Sequence, residues 1–349
     1  MTTPLRRLGR RPLAVAAVLL ALGLVAGALQ FSSTARADGP PQCSDPATAP
    51  SGPATVSTGT TSDYGKVLVV GSGDHAGCSL YLLTSDQLHS LAGSNFACGE
   101  APNAIPGSPA CDTVLWPALL TEGAPIAGPG VNAKLLGTVT RTDLPGFGAV
   151  QQVTYAGQPL YRFFLDEDVG ETEGANLFDP ITSPTGIWYL VNPMRGIPAA
   201  GAAELQLETA PVANGADATV LAAGMDQDFS LTSGTFPFPV YTLSGVGRGP
   251  LGPGPMGHRS RCDALCSQYW PPVLTSGRPQ AGAGVDPHAL GTVMRSDGTQ
   301  QVTYRGKPLY LSNNDAVIPP LPYNFAAEGI NGAGADTIWG TFNTIPPVH

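Results

Sequence analysis

The feature that most constrains this chain is a duplication. Residues 136–161 contain LGTVTRTD and then QQVTYAGQPLY, and residues 290–310 contain LGTVMRSD and then QQVTYRGKPLY. Self-similarity at a fixed spacing means that one supersecondary unit has been built twice, so the fold must accommodate two like bodies. Trp188 in GIWY and Trp339 in TIWG match as well, giving copies of about 150 residues. A finer echo lies inside each copy. Tyr161 and Tyr310 of the PLY steps match Tyr81 in SLYLL and Tyr241 in PVYTL, and these are followed by Trp116-Pro117 and Trp270-Pro271. Four units result, beginning near Val67, Leu136, Val220 and Leu290, with a cysteine/Trp-Pro unit alternating with a QVTY unit.

Each unit reads as β. LGTVTR, QQVTY, QPLYRFF and GIWYLV are short runs rich in β-branched and aromatic residues, separated by Asp, Gly and Pro. Ala156-Gly157 and Arg305-Gly306 supply the x-Gly step of a tight hairpin, and Asp297-Gly298 reads as a further two-residue turn. With 44 glycines and 35 prolines in 349 residues, long helices are opposed: each interior proline costs roughly 3 kcal/mol and each glycine about 1. The expectation is an all-β protein of four β-units in two tandem copies, closing into one propeller-like or barrel-like body. Two sandwich-like domains are the alternative. The boundaries read as a signal peptide over 1–37, a disordered linker over 38–63, copy 1 over 64–192, a connector over 193–218 and copy 2 over 219–349. Strand alternation makes an aromatic stripe of the four tyrosines, the ordinary mark of a core face.

The N-terminus and the cysteines indicate location. Arg6, Arg7, Arg10 and Arg11 precede an apolar run from Leu13 to Leu29, and Ala35-Arg36-Ala37 offers a small-x-small cleavage site. An uncleaved anchor over 13–29 is the alternative, and it is the one route to a membrane. Removing the five arginines of 1–37, which holds no acid, takes the net charge from −9 to −14. Such a surface repels nucleic acid. Six cysteines in an oxidising compartment read as bridges, and position suggests Cys43 with Cys78, Cys98 with Cys111 and Cys262 with Cys266. Their spacing with histidine matches no zinc pattern.

QVTYxGxPLY, a Tyr-x-aromatic-x-x-Asp element and Cys262-x3-Cys266-x3-Trp270-Pro271-Pro272 together resemble the bacterial secreted-repeat lipoproteins, a family without an established function. Tyr161-x-Phe163-x-x-Asp166 fits the motif fully. Tyr310 to Asp315 has Ser312 in the aromatic place, Tyr81 to Asp86 has Leu83, and Tyr241 is followed by Val246 where the acid belongs. The resemblance covers roughly residues 64–342 and implies an exported, envelope-associated β-repeat protein. The anchoring cysteine usual in that family is not in place here, because Cys43 follows Pro40-Pro41-Gln42.

Two stretches carry candidate chemistry. Asp166, Asp168 and Glu171 alternate across a loop bearing Gly170, the oxygen-rich pattern a calcium ion takes, although EF-hand spacing is missing. Gly71-Ser72-Gly73-Asp74-His75 gathers a serine, an aspartate and a histidine, but next to one another in sequence rather than placed by a scaffold. The leading expectation is a non-catalytic binding module facing an extracellular or cell-wall ligand. Its contacts would be Trp, Tyr and acidic loop residues, with no resident cofactor beyond possible calcium. The competing expectation is a calcium-stabilised or carboxylate-based extracellular hydrolase whose acids converge from separate units.

Overall fold

The computed structural model describes residues 43–86, 96–99, 111–179, 186–211, 217–224, 238–244, 262, 265–315, 330–338 and 340–346. The signal segment and Trp339 lie outside them. The chain is all-β, with short strands in several sheets, and among the described residues no sheet closes into a barrel. The barrel-like closure expected from the repeat is therefore not formed among them, and the strands are divided over several separate sheets.

Each copy opens with a long antiparallel hairpin. In copy 1, Thr55–Thr61 pairs with Gly65–Val70, and Ile126–Ala127 joins Thr55 and Val56 in parallel. In copy 2, Glu204–Pro211 pairs with Asp217–Gly224, and Gln280–Ala281 joins Glu204 and Leu205 in parallel. The side-chain ties repeat as well: Ala54 N donates to Thr121 Oγ1 at 3.0 Å and Ala203 N to Thr275 Oγ1 at 3.2 Å. Two expectations change accordingly. Residues 55–61 are ordered strand rather than linker, and 204–211 is the first strand of copy 2 rather than connector. The two opening hairpins share this pairing although their letters differ.

The repeated QVTY segments form the second element. Val150–Tyr155 pairs with Leu136–Arg141, Leu120–Thr121 and Gln158–Pro159, and Gln300–Tyr304 pairs with Leu290–Met294, Leu274–Thr275 and Lys307–Tyr310. The tight turns occur as read. Ala156 (φ 52°) with Gly157 (φ 82°), and Arg305 (φ 50°) with Gly306 (φ 75°), supply the two successive left-handed residues that such a hairpin needs. Asp297-Gly298 closes a wider turn than expected: Arg295 N bonds Thr299 O and only Gly298 is left-handed.

A third element brings the Tyr segments together. Tyr81–Leu83 pairs with Gly186–Val191, and Tyr241–Ser244 with Gly340–Thr344. In copy 2 these strands run on through Tyr241↔Tyr310 into one seven-stranded sheet. In copy 1 the corresponding junction is the single bridge Tyr81↔Tyr161, while Ala118↔Tyr161 matches the bridge Pro272↔Tyr310 of copy 2. Leu80, Val153 and Leu160 of copy 1 pack in one apolar cluster with Leu205, Val302 and Leu309 of copy 2. Each copy adds an aromatic cluster of its own, around Trp116 and around Trp270.

Candidate functional site

The Tyr-to-Asp motif is a clasp, and in copy 1 it is reciprocal. Tyr81 and Tyr161 face each other across antiparallel backbone, exchanging N–H···O bonds of 2.8 and 3.0 Å. Each side chain therefore points toward the end of the other motif. Tyr81 Oη donates to Asp166 Oδ2 at 2.7 Å, and Tyr161 Oη donates to Asp86 Oδ2 at 2.7 Å. The second carboxylate oxygen holds a loop: Asp166 Oδ1 accepts Glu173 N at 2.9 Å and Asp86 Oδ1 accepts Ala97 N at 2.8 Å. In copy 2, Tyr241 Oη donates to Asp315 Oδ2 at 2.6 Å, and Asp315 Oδ1 accepts Asn331 N and Gly332 N. Val246 lies outside the described residues.

All six of these side chains are buried. Burial pushes Asp86 and Asp166 upward, Asp166 strongly, and raises Asp315 to about 7, with the tyrosine and backbone donors opposing. Tyr81 and Tyr161 are raised well above the usual phenol range, first by burial and then by the facing carboxylate. A carboxylate enclosed in this way, with its oxygens engaged by a phenol and backbone N–H groups, fastens a loop to a core. It has no approach for a substrate proton.

The tryptophans frame the clasps. Trp116 stacks on Trp188 at 3.7 Å between centroids, with Tyr81 edge-on to the first and Tyr161 edge-on to the second. In copy 2 Trp270 stacks at 3.6 Å on Phe342, with Tyr241 and Tyr310 edge-on in the same places. Phe342 thus occupies the place of Trp188 that sequence matching assigned to Trp339. The described repeat tyrosines and tryptophans are all core residues, so they do not supply the exposed ligand contacts expected of them.

A buried arginine anchors each copy, and sequence reading passed over it. Arg141 is fully buried; it donates to Asp112 Oδ2 (2.7 Å), Asp143, Gln152 Oε1 (2.6 Å) and Cys98 O (3.0 Å). Arg295 repeats part of this set, bonding Asp297, Gln301 Oε1 and Cys262 O. Both glutamines then donate across the hairpin, Gln152 to Leu160 O and Gln301 to Leu309 O. Burial works against the charge of Arg141, but Tyr161, Asp143 and Asp112 more than compensate, and its pKa is raised. The signal was available in the duplicated Arg-x-Asp and QQ letters, which alternation treats as surface. Arg162 is a third buried cation. It binds the carbonyls of Cys43, Asp45 and Pro46, and its pKa falls to about 10 through burial, with Asp45 opposing.

The remaining candidates separate. Asp166 turns into the core, while Glu171 Oε2 accepts the backbone N–H groups of Glu167 and Asp168 at 2.7 and 3.0 Å. Among the described residues no group of three or more His, Cys, Asp or Glu is placed to hold a metal ion, so Asp166, Asp168 and Glu171 are not gathered as a calcium site. Ser72 and Asp74 are exposed, and His75 Nδ1 lies 3.4 Å from Arg162 Nη1. The three disulfides form as paired: Cys43–Cys78, Cys98–Cys111 and Cys262–Cys266.

One cavity, of about 170 Å³, lies where the exit of copy 1 meets the QVTY sheet of copy 2. Ile197, Leu274 and Met294 form its apolar wall, and Arg195, Thr299 and Gln300 are among its polar lining. The loop presenting Arg195 is held firmly: Asn192 Oδ1 accepts Met194 N and Arg195 N, and Tyr155 Oη donates to Pro193 O. Comparison with protein-family models, curated proteins and solved structures finds no match.

Proposed function

We propose that this chain is an exported, non-catalytic binding module of the cell envelope, its duplicated interior serving as scaffold and its contacts coming from surface loops. The observation that carries this reading is the enclosure of the repeated motif, whose three Tyr–Asp pairs are spent on holding loops to the core. Asp166, the buried member of the candidate acid set, is one of the acids so occupied. Export is supported by the three disulfides, which belong to an oxidising extracellular environment, and by the basic, apolar and small-residue order of 1–37. No helix among the described residues is long and apolar enough to cross a membrane. The resemblance to secreted-repeat lipoproteins points the same way. Loops fixed on a rigid scaffold are the usual place for recognition, and Met194, 76% exposed at the tip of the tethered Asn192–Ile197 loop, is such a feature.

The test is co-sedimentation of the mature chain with purified cell-wall sacculi, with a disulfide-reduced sample as control. Retention that survives moderate salt and is lost on reduction is the expected result. A chain that stays in the supernatant at every salt concentration overturns the assignment to the envelope.

A further inference from the structure

We infer that the cavity beside Arg195 is a recognition site for a carboxylate carried on a short apolar stem, either a small free acid or the C-terminus of a peptide. The inference deepens the binding-module reading and rests on it.

Charge is the first argument. The whole chain carries 26 acids against 17 lysines and arginines, yet no acid lines this cavity and one arginine does. Arg195 is exposed and makes no side-chain ion pair among the described residues, so its planar fork of donors faces the cavity mouth unspent. The carboxylate of the adjoining turn, Asp297, is engaged by Thr299 and Arg295. A guanidinium with two parallel N–H groups suits a carboxylate in particular.

Geometry is the second. A Cβ on Gly298 would overlap Nη2 of Arg195, so the bare glycine leaves room for the guanidinium to lie against the turn. The corresponding place in copy 1 has a longer loop, in which Leu144 is buried and Phe147 packs on the aromatic cluster. Gly298, Thr299 and Gln300, at and beside the shorter turn of copy 2, line the cavity. Across it, Leu274, Ile197 and Met294 offer an apolar wall, and Gln300 adds a polar side chain to the lining. The volume suits a few heavy atoms rather than a polymer.

Titration calorimetry on the whole mature chain tests this, with butyrate and N-acetyl-alanyl-alanine as probes and their primary amides as controls. Both acids are expected to bind and the amides about tenfold more weakly, with Arg195→Gln reducing acid binding about tenfold and Arg195→Lys retaining part of it. Tighter binding of the dipeptide assigns the site to peptide C-termini, and equal binding assigns it to small acids. Equal affinity for acids and amides, undiminished acid binding in Arg195→Gln, or no heat from either acid overturns the inference. Because Arg195 is exposed, its variants should melt as the parent does. Sacculus retention without carboxylate binding removes this site and leaves the module; carboxylate binding without retention does the reverse.

Discussion

The two copies hold the same backbone by different means. Copy 1 uses charge: Arg141 sits between Asp112 and Asp143, two Tyr–Asp clasps cross, and Arg162 grips the segment at Cys43, Asp45 and Pro46. Copy 2 relies more on hydrocarbon and ladder. Leu311 stands where Arg162 does and joins the shared apolar cluster, Phe342 replaces Trp188, one described clasp remains, and the sheet runs unbroken through Tyr241↔Tyr310. Where the ladder is reduced to the single bridge Tyr81↔Tyr161, two side-chain clasps rather than one cross the junction. Common to both copies are the closed hairpin, the stacked aromatic pair, a Tyr–Asp clasp and an arginine on a cysteine carbonyl, while the second clasp and the residue at the Arg162/Leu311 place differ.

The largest expected contrast lies at the arginines. Arg141→Met leaves Asp112 buried without its cation and should cost about 3–5 kcal/mol. Arg295→Met loses hydrogen bonds but leaves Asp297, whose side chain is 51% exposed, in water; about 1–3 kcal/mol is expected. Urea melts of both variants measure the difference, and equal losses would break the charge-versus-ladder distinction.

Next come the bridges. Cys43 and Cys78 are 35 residues apart and Cys262 and Cys266 only 4. Loop-closure entropy predicts a loss of about 4 kcal/mol for the Cys43→Ser/Cys78→Ser pair and about 2 for Cys262→Ser/Cys266→Ser. Denaturation midpoints decide the order, and a reversal would mean that the N-terminal segment is held by Arg162 rather than by its bridge.

The subtlest contrast is in pH. Asp315 titrates at about 7 when folded and near an ordinary 3.9 or so when unfolded. Between those values the folded chain keeps a proton that the unfolded chain has released, so stability rises as pH falls from about 7 toward about 4. Asp86 and Asp166 are raised too and act with the same sign. Asp297, lowered and half-exposed, acts oppositely and only at acid pH, where its contribution is lost. Melting temperature should therefore climb between pH 8 and pH 5, less steeply in Asp315→Asn. A flat or falling curve removes the buried-carboxylate account.

Much of this was legible in the letters. The β class, the Ala156-Gly157 and Arg305-Gly306 hairpins and two cysteine pairs follow from short-range chemistry, namely which residues tolerate a left-handed turn and which cysteines lie near the same repeated tryptophan, and Cys43 with Cys78 is the pair that remains. Three features were not. The opening hairpins share their pairing without sharing letters, so 55–61 reads as linker. Phe342 substitutes for a tryptophan because stacking asks for a flat ring of either kind. Arg141 and Gln152 sit in positions that alternation assigns to solvent, yet copy 1 has sheet and loop on both sides.

By itself the sequence determined that a β-unit is built twice and where each unit turns, since duplication and turn chemistry are local properties of the chain. Only the tertiary structure decided what the Tyr-to-Asp motif is for. Its two halves meet across antiparallel strands rather than within one, so Tyr81, Tyr161 and Tyr241 each find the other motif's aspartate, and no spacing along a single segment can reveal a partner supplied by its twin.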